Sequence, residues 1–364
     1  MTSMSAPVQP VTRQIRKGRG VADNQSGRYE NWQRVAIDDG WGSLDAPLQR
    51  LPTRLETDSS RSVITYNRSP DVPFDRSINP YRGCEHGCTY CYARPSHAWL
   101  GLSPGLDFET RLFHKPDAPQ VLETELSKPK YQCQTVCLGA NTDAYQPVER
   151  RTGLTRKIIQ VLANYHHPLQ IITKSALIER DLDLLVPMAK KNLCSVSISL
   201  TTLDRDLSRR MEPRAAAPQR RLEVIRRLSA AGIPVQVLLA PIIPALNDQE
   251  LEQLMNEARA AGAVSARYIF IRLPLEIRDL FHDWLQTHYP LQAERVINRI
   301  RDSRAGKDYD CEWSQRMSGT GLYAELIRKR FEVARKHLEF PGLPTLDPVQ
   351  FQSPKSTQQQ LKLW

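Results

Sequence analysis

The stretch Gly83-Cys84-Glu85-His86-Gly87-Cys88-Thr89-Tyr90-Cys91-Tyr92 decides the reading of this chain. Three residues separate its first two cysteines, and two separate the second from the third. Thiolates are soft ligands that suit zinc and iron–sulfur clusters. A structural zinc site needs four ligands, usually as two separated pairs, and no second pair lies near this loop. Three ligands on one tight loop instead suit a cubane cluster with three irons anchored and the fourth open. A redox or zinc knuckle is the competing reading, with His86 as the tempting fourth ligand. We read His86 as a loop residue, since closing the site would remove the open iron.

Outward from this loop, short apolar runs alternate with helical patterns from Ser77 onward. That rhythm is the signature of βαβ units and a parallel sheet. Strands are expected at 78–82, 135–138, 169–173, 195–200, 235–240 and 267–272, with a further strand at 63–67. Helices are expected at 118–126, 154–164, 181–191, 218–231 and 247–261. In the second of these, Leu154, Ile158, Val161, Leu162 and Tyr165 fall at amphipathic spacing. Gly232 is a helix stop, and Asn247-Asp248-Gln249-Glu250 has the form of a helix N-cap. After Leu273-Pro274 the strand rhythm gives way to helices at 275–287, 291–301 and 321–337. Six strands with intervening helices fit an α/β fold of the partial (β/α)6 TIM-like barrel type, although the pattern alone also allows an open doubly wound sheet. The cysteine loop follows the first strand, where barrel active sites gather, and favours the barrel.

The division expected from these patterns is a mobile basic arm at 1–30 and an N-terminal extension packed on the core at 31–76. A core domain at 77–274, a C-terminal helical extension at 275–340 and a loose tail at 341–364 follow. No run approaches the roughly 20 apolar residues of a membrane helix, and the first 30 residues lack the apolar segment of a signal peptide. Seven cysteines with three clustered argue against a secreted disulfide framework and for the cytoplasm. The net charge of +10 concentrates at 13–28, 205–227 and 295–307. Such stretches suit a phosphate backbone, and equally suit solvated outer faces of barrel helices.

The pattern Cys84-x3-Cys88-x2-Cys91, with aromatic Tyr90 before the last cysteine, resembles the radical S-adenosylmethionine (SAM) enzymes. The resemblance implies a [4Fe-4S] cluster on these three cysteines and SAM chelated to its open iron through the amino and carboxylate groups. One electron then cleaves the sulfonium and yields a 5′-deoxyadenosyl radical. It also implies a reducing partner, a flavodoxin or ferredoxin. Gly139-Ala140-Asn141-Thr142-Asp143 stands where the family commonly has a Gly-Gly-Glu-like segment for the SAM amino group. Thr142 and Asp143 are the substitutes here, beside Asn141; an Asx turn capping a helix is the other reading. Lys174 suits the SAM carboxylate or a solvated loop, and Ser199 suits the carboxylate or ribose, or mere packing. Tyr90, Asn141, Thr142, Asp143, Lys174 and Ser199 are thus the candidate SAM-binding residues. Glu212 and Arg221 are expected to form a supporting ion pair.

The segments Asn79-Pro-Tyr-Arg-Gly-Cys84, Thr142-Asp143, Thr173-Lys-Ser175, Ser199-Leu200 and Leu239-Ala240-Pro241 are similar to the group around spore photoproduct lyase, over about residues 77–273. This implies a nucleic-acid substrate. Ala140 stands where that lyase carries a hydrogen-donating cysteine, so the same lesion chemistry is not implied. A radical SAM enzyme acting on a protein or small metabolite, and a non-catalytic iron–sulfur module, remain alternatives. Of the spare cysteines, Cys133 and Cys137 lie roughly 13 Å apart along an extended segment. Cys194 reads as core, and Cys311 as a hydrogen donor or a structural residue.

Overall fold

The computed structural model describes residues 16–31 and 51–353. The expectations for 1–15, 32–50 and 354–364 lie outside these. Among the described residues ten strands form: β1 (Arg54–Thr57), β2 (Ile64–Tyr66), β3 (Arg76–Ile78), β4 (Tyr81–Arg82), β5 (Arg111–His114), β6 (Val136–Leu138), β7 (Leu169–Thr173), β8 (Cys194–Ser199), β9 (Val235–Ile242) and β10 (Ser265–Phe270). The main sheet runs β10-β9-β8-β7-β6-β3-β2. Every pair from β3 to β10 is parallel, and β2 is antiparallel to β3. A doubly wound sheet reverses its strand order at a switch point. Here the order never reverses, which is the winding of a barrel opened along one side.

Alternation explains which face is which. Leu169, Ile171, Val196, Ile198, Val235 and Val237 are fully buried, and the helices Leu154–Asn164, Leu182–Lys190, Pro218–Ala230 and Leu251–Ala260 follow the strands in turn. The intervening positions carry Gln170, Ser197, Gln236 and Ser265, hydrogen-bonded in a row across β7 to β10. The inner face therefore carries a polar row, with Ile172 and Leu238 beside it on the same strands. One residue bridges the opening: Asp71, in the turn between β2 and β3. Its carboxylate takes both Nε and Nη2 of Arg316 at 2.5 and 2.6 Å, and its carbonyl accepts from Arg267 on β10. The two outermost strands are thus tied by side chains rather than by a ladder.

The expected strand at 78–82 proves to be two. β3 ends at Ile78, and after Asn79-Pro80 the chain enters β4, which pairs antiparallel with β5 in a second sheet, β1-β5-β4. Pro80 has no N–H to offer a ladder, so the break falls there. Asn247 stands at the N-cap position of the turn Asp248–Glu250 that leads into the helix Leu251–Ala260, but its side chain does not cap it: the carboxamide takes the Ile243 N–H and donates to the carbonyls of Thr201 and Pro241. The described parts of the arm and tail are packed rather than loose. Arg19 is buried, donating to the carbonyls of Glu109 and Leu51. Phe351 sits against Tyr131, Tyr165 and His167.

Two fully buried histidines carry a pH prediction. Burial pushes His97 and His167 down to about 4, although each ring faces a carbonyl acceptor. In the unfolded chain both take up a proton below about pH 6.5. Stability therefore falls as pH drops from about 6.5 toward 4, by up to about 1.4 kcal/mol per pH unit per imidazole. Denaturant midpoints at pH 7.0 and 5.5 should differ for the wild-type chain and differ less in a His97→Gln/His167→Gln variant, which keeps only the depressed His282 and His288. An unchanged wild-type midpoint would contradict the burial of neutral rings.

Candidate active site

The cysteine loop leaves β4 through Gly83 and is fixed on all sides. Gly83 has φ +78°, and a Cβ there would lie 2.8 Å from the Phe108 carbonyl. Gly87 has φ +67°, and its Cβ would lie 2.7 Å from the Glu109 carboxylate. The Cys84 N–H donates to the Phe108 carbonyl at 2.9 Å. Gln146 spans the turn, accepting from the Glu85 N–H and donating to the Gly83 carbonyl. Arg94 supports it from below, with Nε to the Cys88 carbonyl at 2.8 Å and Nη1 to the carbonyls of Pro104 and Gly105. Its charge is matched by Glu109 at 2.5 Å, and both side chains are wholly buried. Glu109 also takes the Gly20 N–H, so the N-terminal segment is anchored to the same loop.

All three thiols line one cavity and none is in a disulfide. Burial pushes Cys84 well above the usual thiol range, with Asp143 and the neighbouring cysteines adding to it. Burial likewise raises Cys88, to about 12, and raises Cys91. Left alone these are protonated, unreactive thiols; a bound metal would supply the positive charge that deprotonates them. Three free thiols facing one cavity from a well-fixed loop, two of them buried and Cys91 partly so, are a donor set that fits an iron–sulfur cluster.

The facing wall comes from the ends of β6, β7 and β8. Asp143 accepts from the Thr173 hydroxyl at 2.7 Å, the Lys174 N–H at 2.8 Å and the Tyr145 N–H at 2.8 Å. His86 Nδ1 is 3.4 Å away. Burial alone would raise this carboxyl, but His86 and the bonds from the Lys174 N–H and the Thr173 hydroxyl outweigh it and hold Asp143 below the usual range. Asn141 and Thr142 line the same cavity. The Asn79 side-chain oxygen receives their backbone N–H groups, and the Thr142 hydroxyl donates to the Tyr81 carbonyl. Lys174 Nζ donates to Ser199 Oγ at 2.7 Å, lies 3.4 Å from Glu212, and sits 5.6 Å from the Tyr90 ring centroid.

Beneath Lys174 lies a buried network. Glu212 accepts from Tyr90, from Arg221 and, at 2.8 Å, from Thr201. Burial would raise its carboxyl, but the charges of Arg221 and Lys174 and the bonds from Tyr90 and Arg221 hold it well below the usual range. Tyr90 moves the other way, pushed far up by burial and by Glu212, so its phenol stays protonated. The network carries a fixed negative charge under the cation that faces the cavity.

Nine of the ten sequence candidates therefore meet at one cavity. Cys311 does not: it is exposed and lies off the lining. The donor role weighed for it has no support in the geometry. The sequence reading missed Tyr92 and Arg272, which also line the cavity, and Arg94 with Glu109 behind it. Arg272 follows the sixth strand as Lys174 follows the third, so the same positional signal applied to it. In the basic stretch at 205–227, five of eight arginines are ion-paired, Arg209, Arg214, Arg220, Arg221 and Arg227. Arg205, Arg209, Arg210, Arg226 and Arg227 are exposed, so the stretch is a solvated basic face with part of its charge paired.

A family model described as the radical SAM superfamily matches residues 78–258, the segment from the end of β3 through the cysteine loop to beyond β9. The chain belongs to the radical SAM superfamily. Among its relatives, an uncharacterized protein of Mycobacterium tuberculosis is 39% identical over 233 residues, 64% of this chain and 67% of the relative. Another, from Methanocaldococcus jannaschii, is 29% identical over 227 residues, 62% of this chain and 81% of the relative. The fold of this radical SAM protein is similar to that of spore photoproduct lyase complexed with dinucleoside spore photoproduct, with a TM-score of 0.52. Identity there is 15%, covering 79% of this chain and 80% of that one. A variant of that lyase with bound AdoMet and dinucleoside spore photoproduct gives a TM-score of 0.51 at 14% identity, over 81% of this chain and 86% of that one. Among the described residues, no helix is long and apolar enough to cross a membrane.

Proposed function

We propose that this radical SAM protein reductively cleaves SAM at a [4Fe-4S] cluster held by Cys84, Cys88 and Cys91, and that the 5′-deoxyadenosyl radical takes hydrogen from a nucleic acid, in DNA repair or base modification. One observation carries the reading: three thiols and the polar groups of three successive strand ends line a single cavity. When bound, the cluster supplies one electron and an open iron for the amino and carboxylate groups of SAM. The chain supplies the rest. Lys174 offers the cavity a cation, held in place by Glu212 at 3.4 Å and by the Ser199 hydroxyl. Ser199 and the Lys174 ammonium suit a carboxylate, while Asp143 and the Ala140–Asn141 backbone suit an ammonium. Ile172, Leu238, Ile269 and Phe270 complete the lining with apolar groups that exclude water from a radical.

A flavodoxin or ferredoxin as reductant and a cytoplasmic setting belong to the same proposal. Anaerobically reconstituted protein, reduced with dithionite in the presence of SAM, should yield 5′-deoxyadenosine. Deuterated DNA or RNA should then transfer deuterium into that product. A chain that holds its cluster but yields no 5′-deoxyadenosine is a binding module. Deuterium arriving only from peptides or metabolites would move the substrate to the protein or small-molecule class.

A further inference from the structure

A second cavity, of about 530 Å³, opens beside the first. The two share a wall that includes Tyr92, Ala140, Asn141 and Arg272. Its floor is the polar row of Gln170, Ser197 and Gln236, and its outer wall is the Asp71–Arg316 bridge across the opened side of the barrel. Its size falls in the range of about 300–1,000 Å³ common for small-ligand sites.

The charges in it are unequal. Arg316 is neutralised by Asp71 in a two-point pair. Arg267 donates only to the Asp71 carbonyl, at 3.3 Å, and no carboxylate is in ion-pair contact with it among the described residues. Arg272, at the junction of the two cavities, is less well satisfied still. Its Nε is buried without a partner, and its two Nη atoms reach only the Met317 sulfur at 3.8 Å and the Tyr309 hydroxyl at 3.4 Å. Its guanidinium lies over the Tyr92 ring, 5.0 Å from the centroid. A guanidinium with an unused donor inside a cavity is a receptor for an oxyanion, because its planar fork matches phosphate and carboxylate. Aromatic faces line the same space: Phe74 at one side, and Tyr268 with Phe331, whose rings lie 4.9 Å apart. Cationic groups beside aromatic faces are the usual means of holding a nucleotide by its phosphate and its base.

We infer that this second cavity is the substrate chamber, and that Arg272 anchors a phosphate of a single-stranded nucleic acid whose base enters beside the SAM cavity. The inference rests on the function proposed above and names where that substrate is held. Asp71, Arg316 and Arg267 form the far wall, and the row of amides and hydroxyls offers hydrogen bonds to a base edge.

The test uses the anaerobically reconstituted full chain and two probes: a ten-nucleotide single strand of mixed sequence, and the same strand with neutral methylphosphonate linkages. The wild type should bind the phosphodiester strand more tightly. Arg272→Gln should weaken that binding about 10- to 100-fold, as expected for a lost charge-assisted hydrogen bond. It should also lower the slope of log K against log salt by about 0.7, the share of one phosphate on a single strand. Arg278→Gln, on the exterior, should change neither, and the neutral strand should bind both variants alike. Equal binding of both strands by the wild type, or an Arg272→Gln slope equal to that of the wild type, overturns the anchor. A protein that makes 5′-deoxyadenosine yet gives that result loses this inference alone, whereas absence of 5′-deoxyadenosine removes the function beneath it.

Discussion

Alanine at Cys84, Cys88 or Cys91 is expected to abolish cluster retention and reduce 5′-deoxyadenosine formation by more than about 100-fold. Loss of even an outer partner of a metal site typically costs 10–100-fold, and each of these sulfurs is one of only three available on the loop. No spare thiol can substitute. Cys133, Cys137, Cys194 and Cys311 all lie off the cavity lining, and Cys137 and Cys194 are wholly buried in the strands β6 and β8. Cys311→Ser should therefore keep full iron content. Iron and sulfide analysis with product chromatography checks both halves. A Cys88→Ala protein that still holds a four-iron cluster and cleaves SAM would show that the loop has been misread.

The second large effect concerns Glu212. Glu212→Gln leaves Arg221, a fully buried guanidinium, without its counter-charge, and loosens Tyr90 and Lys174 at the same time. Breaking one side of a buried pair costs about 3–5 kcal/mol, so the denaturation midpoint at pH 7 should fall accordingly. Replacing both partners, as Glu212→Leu with Arg221→Met, should cost much less, since no charge is then stranded. The pH dependence has a definite sign. The carboxyl of Glu212 is depressed in the fold, so its contribution is complete above the ordinary glutamate range and fades as pH falls toward its folded value. The gap between wild type and Glu212→Gln should narrow in acid. An equal gap at pH 7 and pH 3.5 would place the stabilisation elsewhere.

The parts of the fold that the sequence discloses are those written in repeating patterns. The helices Ala118–Leu126, Leu154–Asn164 and Gly321–His337 and the strand Leu169–Thr173 fall where apolar spacing puts them, since each is long enough to show a period. The strands β1, β4 and β5 are two to four residues long and carry no alternation to read. Pro80 was the available sign that the first strand must divide. The site divides in the same way. Cys84, Cys88 and Cys91 are legible because a metal dictates residue type and spacing together. Asp143, Lys174 and Ser199 are legible because the ends of parallel strands converge.

What sequence could not disclose is which charges are buried together. Arg94 and Glu109 lie fifteen residues apart in an irregular stretch, and nothing local says that their side chains meet under the cysteine loop. Asp71 and Arg316 are separated by most of the chain. The same holds at 205–227, where the sequence shows the run of arginines but not that Glu85 and Glu179 lie beside it.

The claim on which the account depends is that the polypeptide leaves one iron for SAM. Electron–nuclear double resonance on the reduced, anaerobically reconstituted protein tests it most directly, with SAM carrying ¹⁵N in its amino group and ¹⁷O in its carboxylate. Hyperfine coupling from both labels to the cluster is the expected result. A four-iron cluster that shows neither coupling, and changes its spectrum only when His86 is replaced, would contradict it.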